Sequence, residues 1–412
     1  MAITKSSSRE HNQNFFQLGT IQGAAVGLPG ILFGGFLGAK YGSGVALCSL
    51  LAGNLVLWLI GLTIISMVFQ SKINAVENIK NYLGKTGVSF AVGFLVLVFL
   101  AWFALQLNSS MSLLSFSLEC ISITKPGTVI FLGAFLGLVT AILSIGGIQL
   151  LKWVCVASAP LLVLLELWIF SRSTSNLSLS SFGFSASAFI AAVLLFLPGL
   201  INLPTFFRYS RSKADSCLGI TLMMVYYTFF ECTGIWIHLG EQFRSLSCNS
   251  FFVPLFLSVF LVALLFCGNL LNIYFSSACY ENFLPRYSGT MGRFIMGILG
   301  TLAYVLIQIP SSIAVLIDLL NAYLAILGVV LMIAFLIRII VKHRPRPKEE
   351  LINTVVWLLG CFFVTMLKIQ DGDNEKHFLL SGIGFVFLVF LLVIYVEETI
   401  WSTQKILSKK DR

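Results

Sequence analysis

Long runs of apolar residues alternate with short polar segments from Phe16 to Val396. Each run is near the ~20 residues that a bilayer core requires. The pattern predicts twelve membrane spans: Phe16–Ala39, Val45–Phe69, Gly87–Leu114, Thr128–Ser144, Ile148–Phe170, Ala188–Phe207, Leu218–Leu239, Phe251–Ala278, Phe294–Ile309, Ile313–Val341, Leu351–Leu367 and Phe378–Val396. Two runs carry matching interruptions. Leu28-Pro29-Gly30 falls inside the first, and Leu197-Pro198-Gly199 inside the sixth, where Asn202 and Pro204 follow. A proline removes a backbone donor and clashes one turn back. In hydrocarbon the freed carbonyl is tolerated only where it is buried in protein or lines a cavity. Paired breaks at corresponding points of two halves point to a binding site between inverted repeats.

That spacing predicts an all-α integral membrane protein. Residues 16–170 form one five-helix repeat and 188–341 a second of inverted topology, with helices one and six discontinuous. Residues 1–15 are a polar tail and 342–350 a basic linker. Residues 351–396 hold two peripheral helices, and 397–412 are a second tail.

Composition narrows the class. Of 412 residues, 58% are hydrophobic and 10% charged, which excludes a soluble enzyme or nucleic-acid binder. The net charge of +9 sits mainly in alternate loops. Lys72, Lys80 and Lys85 follow span two, Arg208, Arg211 and Lys213 span six, Arg286 and Arg293 span eight, and Lys342, Arg344, Arg346 and Lys348 span ten. The opposite loops carry Glu119, Glu241, Asp371, Asp373 and Glu375. This asymmetry predicts cytoplasmic N- and C-termini, and the short loops suggest a prokaryotic inner membrane. The nine cysteines form no C-x-x-C pair and read as reduced core residues. The four histidines, His11, His238, His343 and His377, are scattered, so no metal site or cofactor is expected beyond a coupling ion.

No catalytic constellation is present, and the chain is not expected to be an enzyme. Glu166 in span five and Asp318 in span ten are acids within the membrane, where charge is costly. Glu166 has two readings, a proton relay or a hydrogen-bond partner for a broken helix. Asp318 reads as structural. Trp102 and Gln106 lie one turn apart in span three and share a face. They read either as a stacking and hydrogen-bonding pair for a planar ring or as packing and a helix–helix bridge. Ser276 and Ser277 read as ligands for a hard cation or as hydroxyls bonded back to their own helix.

Asn202-Leu203-Pro204-x-Phe206-x-Arg208-Tyr209, Trp102-Phe103-x-x-Gln106, Gly23 through Pro29, and Gly53-Asn54 together resemble the nucleobase–cation symporter-1 family. The resemblance covers spans one to three, six and eight. It implies the inverted-repeat fold of the bacterial leucine transporter and import of a nucleobase or related heterocycle with Na⁺ or H⁺ by alternating access. It implies a ring sandwiched by Trp102 and Phe196, amides Gln106 and Asn282 reading its edge, and Gly27 where some members place a glutamine. It also implies a sodium site from the carbonyls of Gly23, Val26 and Ile273 and the hydroxyls of Ser276 and Ser277. Phe196 stands where the family has tryptophan, and Thr205 where it has an acid. An amino-acid carrier on the same fold and a non-transporting membrane sensor or scaffold are the alternatives. The expected partners are a small solute and the lipid bilayer.

Overall fold

The first apolar run folds as α1 (Phe15–Tyr41), started by the Asn14 side chain, which accepts from the Gln17 amide. The computed structural model describes residues 13–69, 72–119, 126–172, 182–237, 252–281, 283–307, 313–340, 349–371 and 381–396. The predicted linker up to residue 348, most of both tails and all four histidines lie outside them. The remaining helices are α2 (Ser43–Val68), α3 (Ala75–Glu119), α4 (Pro126–Leu143), α5 (Gly147–Arg172), α6 (Ala186–Ile201), the single turn α7 (Pro204–Phe207), α8 (Lys213–Trp236), α9 (Phe252–Tyr280), α10 (Thr290–Ile307), α11 (Ile313–Ile340), α12 (Glu349–Asp371) and α13 (Ser381–Val396). Among the described residues, ten helical stretches are long and apolar enough to cross a membrane, and Ser381–Val396 is a shorter apolar helix. One of the ten, Gly127–Ser171, contains both α4 and α5. Gly147 (φ 63°) separates them, and Arg293 on α10 donates to the Ser144 and Ile145 carbonyls at the break (2.9 and 3.2 Å).

α1 is the axis of the fold. It is 67% buried over its apolar window, against 28% for Gly127–Ser171, where Phe131 and Trp153 face outward. The expected discontinuity of helix one is not there: α1 runs unbroken through Pro29. Pro29 costs it one hydrogen bond, the one the Ala25 carbonyl would have accepted. Its glycines serve packing instead of unwinding. Gly19, Gly23, Gly30, Gly34 and Gly38 all lie against α8. A Cβ on Gly23 would stand 2.5 Å from the Tyr226 ring, and one on Gly34 would stand 2.9 Å from the Glu231 carbonyl carbon. A stripe of small residues lets two membrane helices approach backbone to backbone. In the sequence the same stripe looks like a weak point.

The sixth run is broken, but not at Pro198-Gly199, which remain inside α6. The chain leaves the helix at Asn202 and Leu203 and re-enters it at Pro204. Backbone bonds across the break tighten to three-residue spacing, Asn202 N–H to Gly199 O and Thr205 N–H to Asn202 O (3.1 and 3.0 Å), and the Thr205 hydroxyl donates to Asn202 Oδ1 (2.9 Å).

Of the C-terminal helices expected at the periphery, α12 has an exposed apolar face, with Leu351, Phe362 and Ile369 outward, but it is tied to the bundle by polar bonds. Gly84 (φ 68°) ends the segment Ala75–Leu83 of α3 and leaves its last carbonyls without helical partners. Arg338 on α11 donates to Asn81 O (2.8 Å), Asn353 on α12 to Tyr82 O (2.9 Å) and Thr354 on α12 to Leu83 O (2.8 Å). Trp357 of α12 is fully buried, its indole donating to Tyr323 O (3.0 Å).

Candidate substrate chamber

The freed Ala25 carbonyl lies beside a cavity of 60 Å³ near the middle of α1 and α3. α1 contributes Gln22, Ala25, Val26 and Pro29 to it, and α3 contributes Phe99, Trp102 and Gln106. Phe196, Pro198 and Gly199 come from α6, Tyr227 from α8, and Gly268, Leu271, Asn272 and Phe275 from α9. The spacing of four that puts Trp102 and Gln106 on one helical face therefore aims both into the cavity. Phe196 packs against Tyr227, ring centroids 4.6 Å apart. No charged side chain lines the chamber among the described residues.

The amides form a row along one wall. Asn272 Nδ2 donates to Gln106 Oε1 (3.3 Å) and lies 3.5 Å from Asn269 Oδ1. Gln22 Nε2 is buried with no hydrogen-bond partner. An unpaired amide in a dry site is costly unless a ligand satisfies it.

The chamber is open in one direction and shut in the other. A second cavity of 260 Å³ shares Pro29, Trp102, Gln106 and Leu195 with it, and adds Leu32 and Phe33 of α1 and Ser109 of α3. It leads toward the Tyr41 end of α1. On the other side Phe99, Phe275, Phe206 and Tyr274 form a floor, with centroids 5.0, 5.2 and 4.7 Å apart in successive pairs. Beneath it Arg208 donates to the Tyr209 hydroxyl (2.6 Å). Gln13 forms an isolated bridge to Ser210, and Lys72 Nζ donates to the Ser210 carbonyl (2.7 Å).

Of the residues singled out from the sequence, Trp102, Gln106, Phe196 and Val26 meet at this chamber. Asn282 lies outside the described residues, as does the side chain of Asp318. The α-carbon of Gly27 faces Leu264 and Phe230, and that of Gly23 faces Tyr226. Among the described residues, no hydrogen bond joins Gly23 or Val26 of α1 to Ser276 or Ser277 of α9. The carbonyls of Gly23 and Val26 stay within an unbroken helix. On α9, Leu264 lies against Gly27 and Gly268 against Ala25, and Leu271, Asn272 and Phe275 share the cavity with Val26. Ser276 donates to Asn272 O and Ile273 O (2.9 and 3.1 Å) and Ser277 to Tyr274 O (3.0 Å), so both hydroxyls serve their own helix.

The sequence reading missed Gln22, Tyr227, Asn272 and Phe275. It also missed Glu231, an acid inside the seventh run and therefore visible by the rule that marked Glu166. Glu231 is fully buried on α8, one turn beyond Tyr227. Its Oε2 accepts from Asn54 Nδ2 on α2 (2.6 Å), which also donates to the Thr228 hydroxyl (3.1 Å). Glu166 on α5 is likewise fully buried and accepts from the Thr233 hydroxyl on α8.

No family model matches the sequence, and no curated protein does. Solved structures do resemble the fold. One is Mhp1, a nucleobase-cation-symport-1 family transporter, in a closed conformation with bromovinylhydantoin bound: TM-score 0.70, 13% identity, over 93% of this chain and 93% of that one. A Na⁺-coupled sialic acid symporter in a substrate-bound outward-open state gives 0.66 at 13% identity over 94% and 91%. MhsT in complex with L-phenylalanine gives 0.61 at 14% over 92% and 98%. At these identities the likeness is one of fold: the chain is a multi-pass helical membrane protein folded like these transporters.

Proposed function

We propose that the chain is a secondary active transporter of a neutral, planar heterocycle, of the nucleobase–cation symporter-1 kind, driven by a cation gradient. One observation carries this reading: among the described residues, the chamber has aromatic and carboxamide walls and no charged side chain. Trp102 and Phe196 offer ring faces, and Gln106, Asn272 and Gln22 offer donors and acceptors to a ring edge. Stacking on an aromatic is worth about 1–3 kcal/mol per base. Asn272 of α9 lines the chamber and takes the edge-reading role that the resemblance gave to Asn282. Separating α4 from α5 and adding α13 brings the spans to twelve, in two inverted groups of five plus two. The positive loops put both termini in the cytoplasm of an inner membrane. The wide cavity then faces outward, and the aromatic floor separates the chamber from the cytoplasm.

An amino-acid carrier would hold the substrate carboxylate on a bare helix terminus. The unbroken α1 offers none at the chamber, which favours the heterocycle. Thermal stabilisation of the purified chain by cytosine, uracil, hypoxanthine and hydantoin, against leucine and phenylalanine, tests the reading with and without sodium. Stabilisation by a heterocycle, lost in Trp102→Ala, is the expected result. Stabilisation by amino acids alone would overturn it.

A further inference from the structure

We infer that Glu231 and Asn54 form a proton-binding site that couples transport to a proton gradient. The inference rests on the transport reading above and names its coupling ion. Asn54 Nδ2 donates to Glu231 Oε2, and the two remaining atoms of the pair, Asn54 Oδ1 and Glu231 Oε1, are both buried without a partner. Both are acceptors. A single proton on Oε1 turns that oxygen into a donor and closes the acid and the amide into a doubly hydrogen-bonded pair. It satisfies both orphan atoms and removes the charge. Without it, a carboxylate sits in the membrane core with neutral donors only, a costly arrangement.

Among the described residues, the groups around the carboxyl offer no cation. On α8, Tyr227 and Cys232 are its nearest titratable neighbours. α1 presents Gly30 and Gly34 and carries no titratable side chain before Lys40 in its last turn. α2 presents Asn54, and its one titratable residue, Cys48, lies well along the helix. α5 presents Glu166, bonded to Thr233 on another side of α8. The pair sits where α1, α2 and α8 meet, and Tyr227, one turn away, is chamber wall. A proton arriving from one side of the membrane adds to Oε1, forming an O–H bond. Its release to the other side restores the carboxylate, so each cycle moves one proton and consumes nothing else.

Glu231→Gln keeps the shape and supplies the donor permanently. The full chain in proteoliposomes is tested with labelled cytosine and uracil under an inward proton gradient at equal sodium, under a sodium gradient at equal pH, and in counterflow. The expected wild type accumulates label under the proton gradient. E231Q is expected to keep counterflow and to lose that accumulation. Infrared spectra of the same samples, without substrate, should show a protonated carboxyl band that E231Q removes and Asn54→Ala shifts. The proton site falls if wild type accumulates label only under the sodium gradient, if E231Q accumulates as wild type does, or if the carboxyl band is identical in the two. Wild type with neither binding nor counterflow, but with the Glu231 band intact, would sink the transport reading and with it the coupling, leaving a protonated structural pair.

Discussion

Gly268→Ala probes the chamber without replacing any residue proposed to contact the ring. A Cβ at Gly268 would fall on Gln106 Oε1 and stand 2.9 Å from its Cδ, against 3.4 Å at the near edge of ordinary contact. The amide must therefore retreat by at least about 0.5 Å, and the Ala25 carbonyl oxygen of α1, 3.1 Å away, by a few tenths of an ångström, at a cost inside the usual overpacking range of about 1–3 kcal/mol. The alanine returns up to about 1 kcal/mol of helix propensity, so the melting temperature should change little. Binding should change more, because a displaced amide leaves one substrate hydrogen bond unmade in a dry site. That costs about 1–3 kcal/mol, or roughly 5- to 150-fold in Kd. Gly199→Ala is the control: it also lines the chamber, yet its Cβ meets nothing within 4 Å. Calorimetric titration with the best-binding heterocycle would be run on G268A, Q106A and the double variant. If Gly268 acts through Gln106, the double variant binds like Q106A alone. Additive losses would refute the steric route, and an unchanged Kd in both single variants would remove Gln106 from the binding site.

Trp102→Ala should lose about 1–3 kcal/mol of ring binding while still reaching the membrane, with Trp102→Phe recovering part of it; equal uptake by all three would end the stacking idea. Asn353→Ala and Thr354→Val should each lower stability by about 1 kcal/mol by exposing the Tyr82 and Leu83 carbonyls, read as thermal midpoints with substrate binding retained. Phe206→Ala should open the floor and let preloaded cytosine leak from proteoliposomes without a gradient, which Phe206→Leu should largely prevent; a tight Phe206→Ala would place the barrier elsewhere. Ser276→Ala with Ser277→Ala should leave uptake insensitive to the change, because both hydroxyls serve their own helix; a loss of sodium stimulation would restore the family-derived cation site.

Hydropathy and loop charge made the helical membrane architecture legible, because span length and apolar composition are local properties of the chain. Trp102, Gln106 and Phe196 were legible through short motifs, since a spacing of four fixes a helical face. The state of α1 was not. Gly23, Gly27, Pro29 and Gly30 read as a break from local rules, and only the partner helix shows that most of α1's glycines exist for close approach to α8. Asn272 was passed over because the choice between it and Asn282 depends on which turn of α9 lies opposite Gln106, a tertiary register that α9's sequence leaves open. The role of α12 was hidden for a related reason. Its polar Asn353 and Thr354 look like ordinary helix residues until the Gly84 turn places unpaired carbonyls beside them.

Under the proposed function, the chamber's walls belong to two differently packed groups, and this bears on how substrate could pass. α1 is joined to α8 along a glycine stripe with backbone contact, and α3 packs extensively on α9. Gln106 and Asn272 lie on the second pair and bond each other across it. Gln22 lies on the first, whose Tyr227 also holds the Phe196 ring. A ring bound to all of these bridges both groups. Interdigitated cores resist continuous deformation, so the least costly motion slides one pair past the other as rigid units. The floor lies across that seam: Phe206 follows the α6 break, while Phe99 and Phe275 ride on α3 and α9. Because α1 is unbroken, the hinge for such a motion falls at Asn202–Leu203, where the helix is already interrupted and Pro204 has no backbone N–H to give.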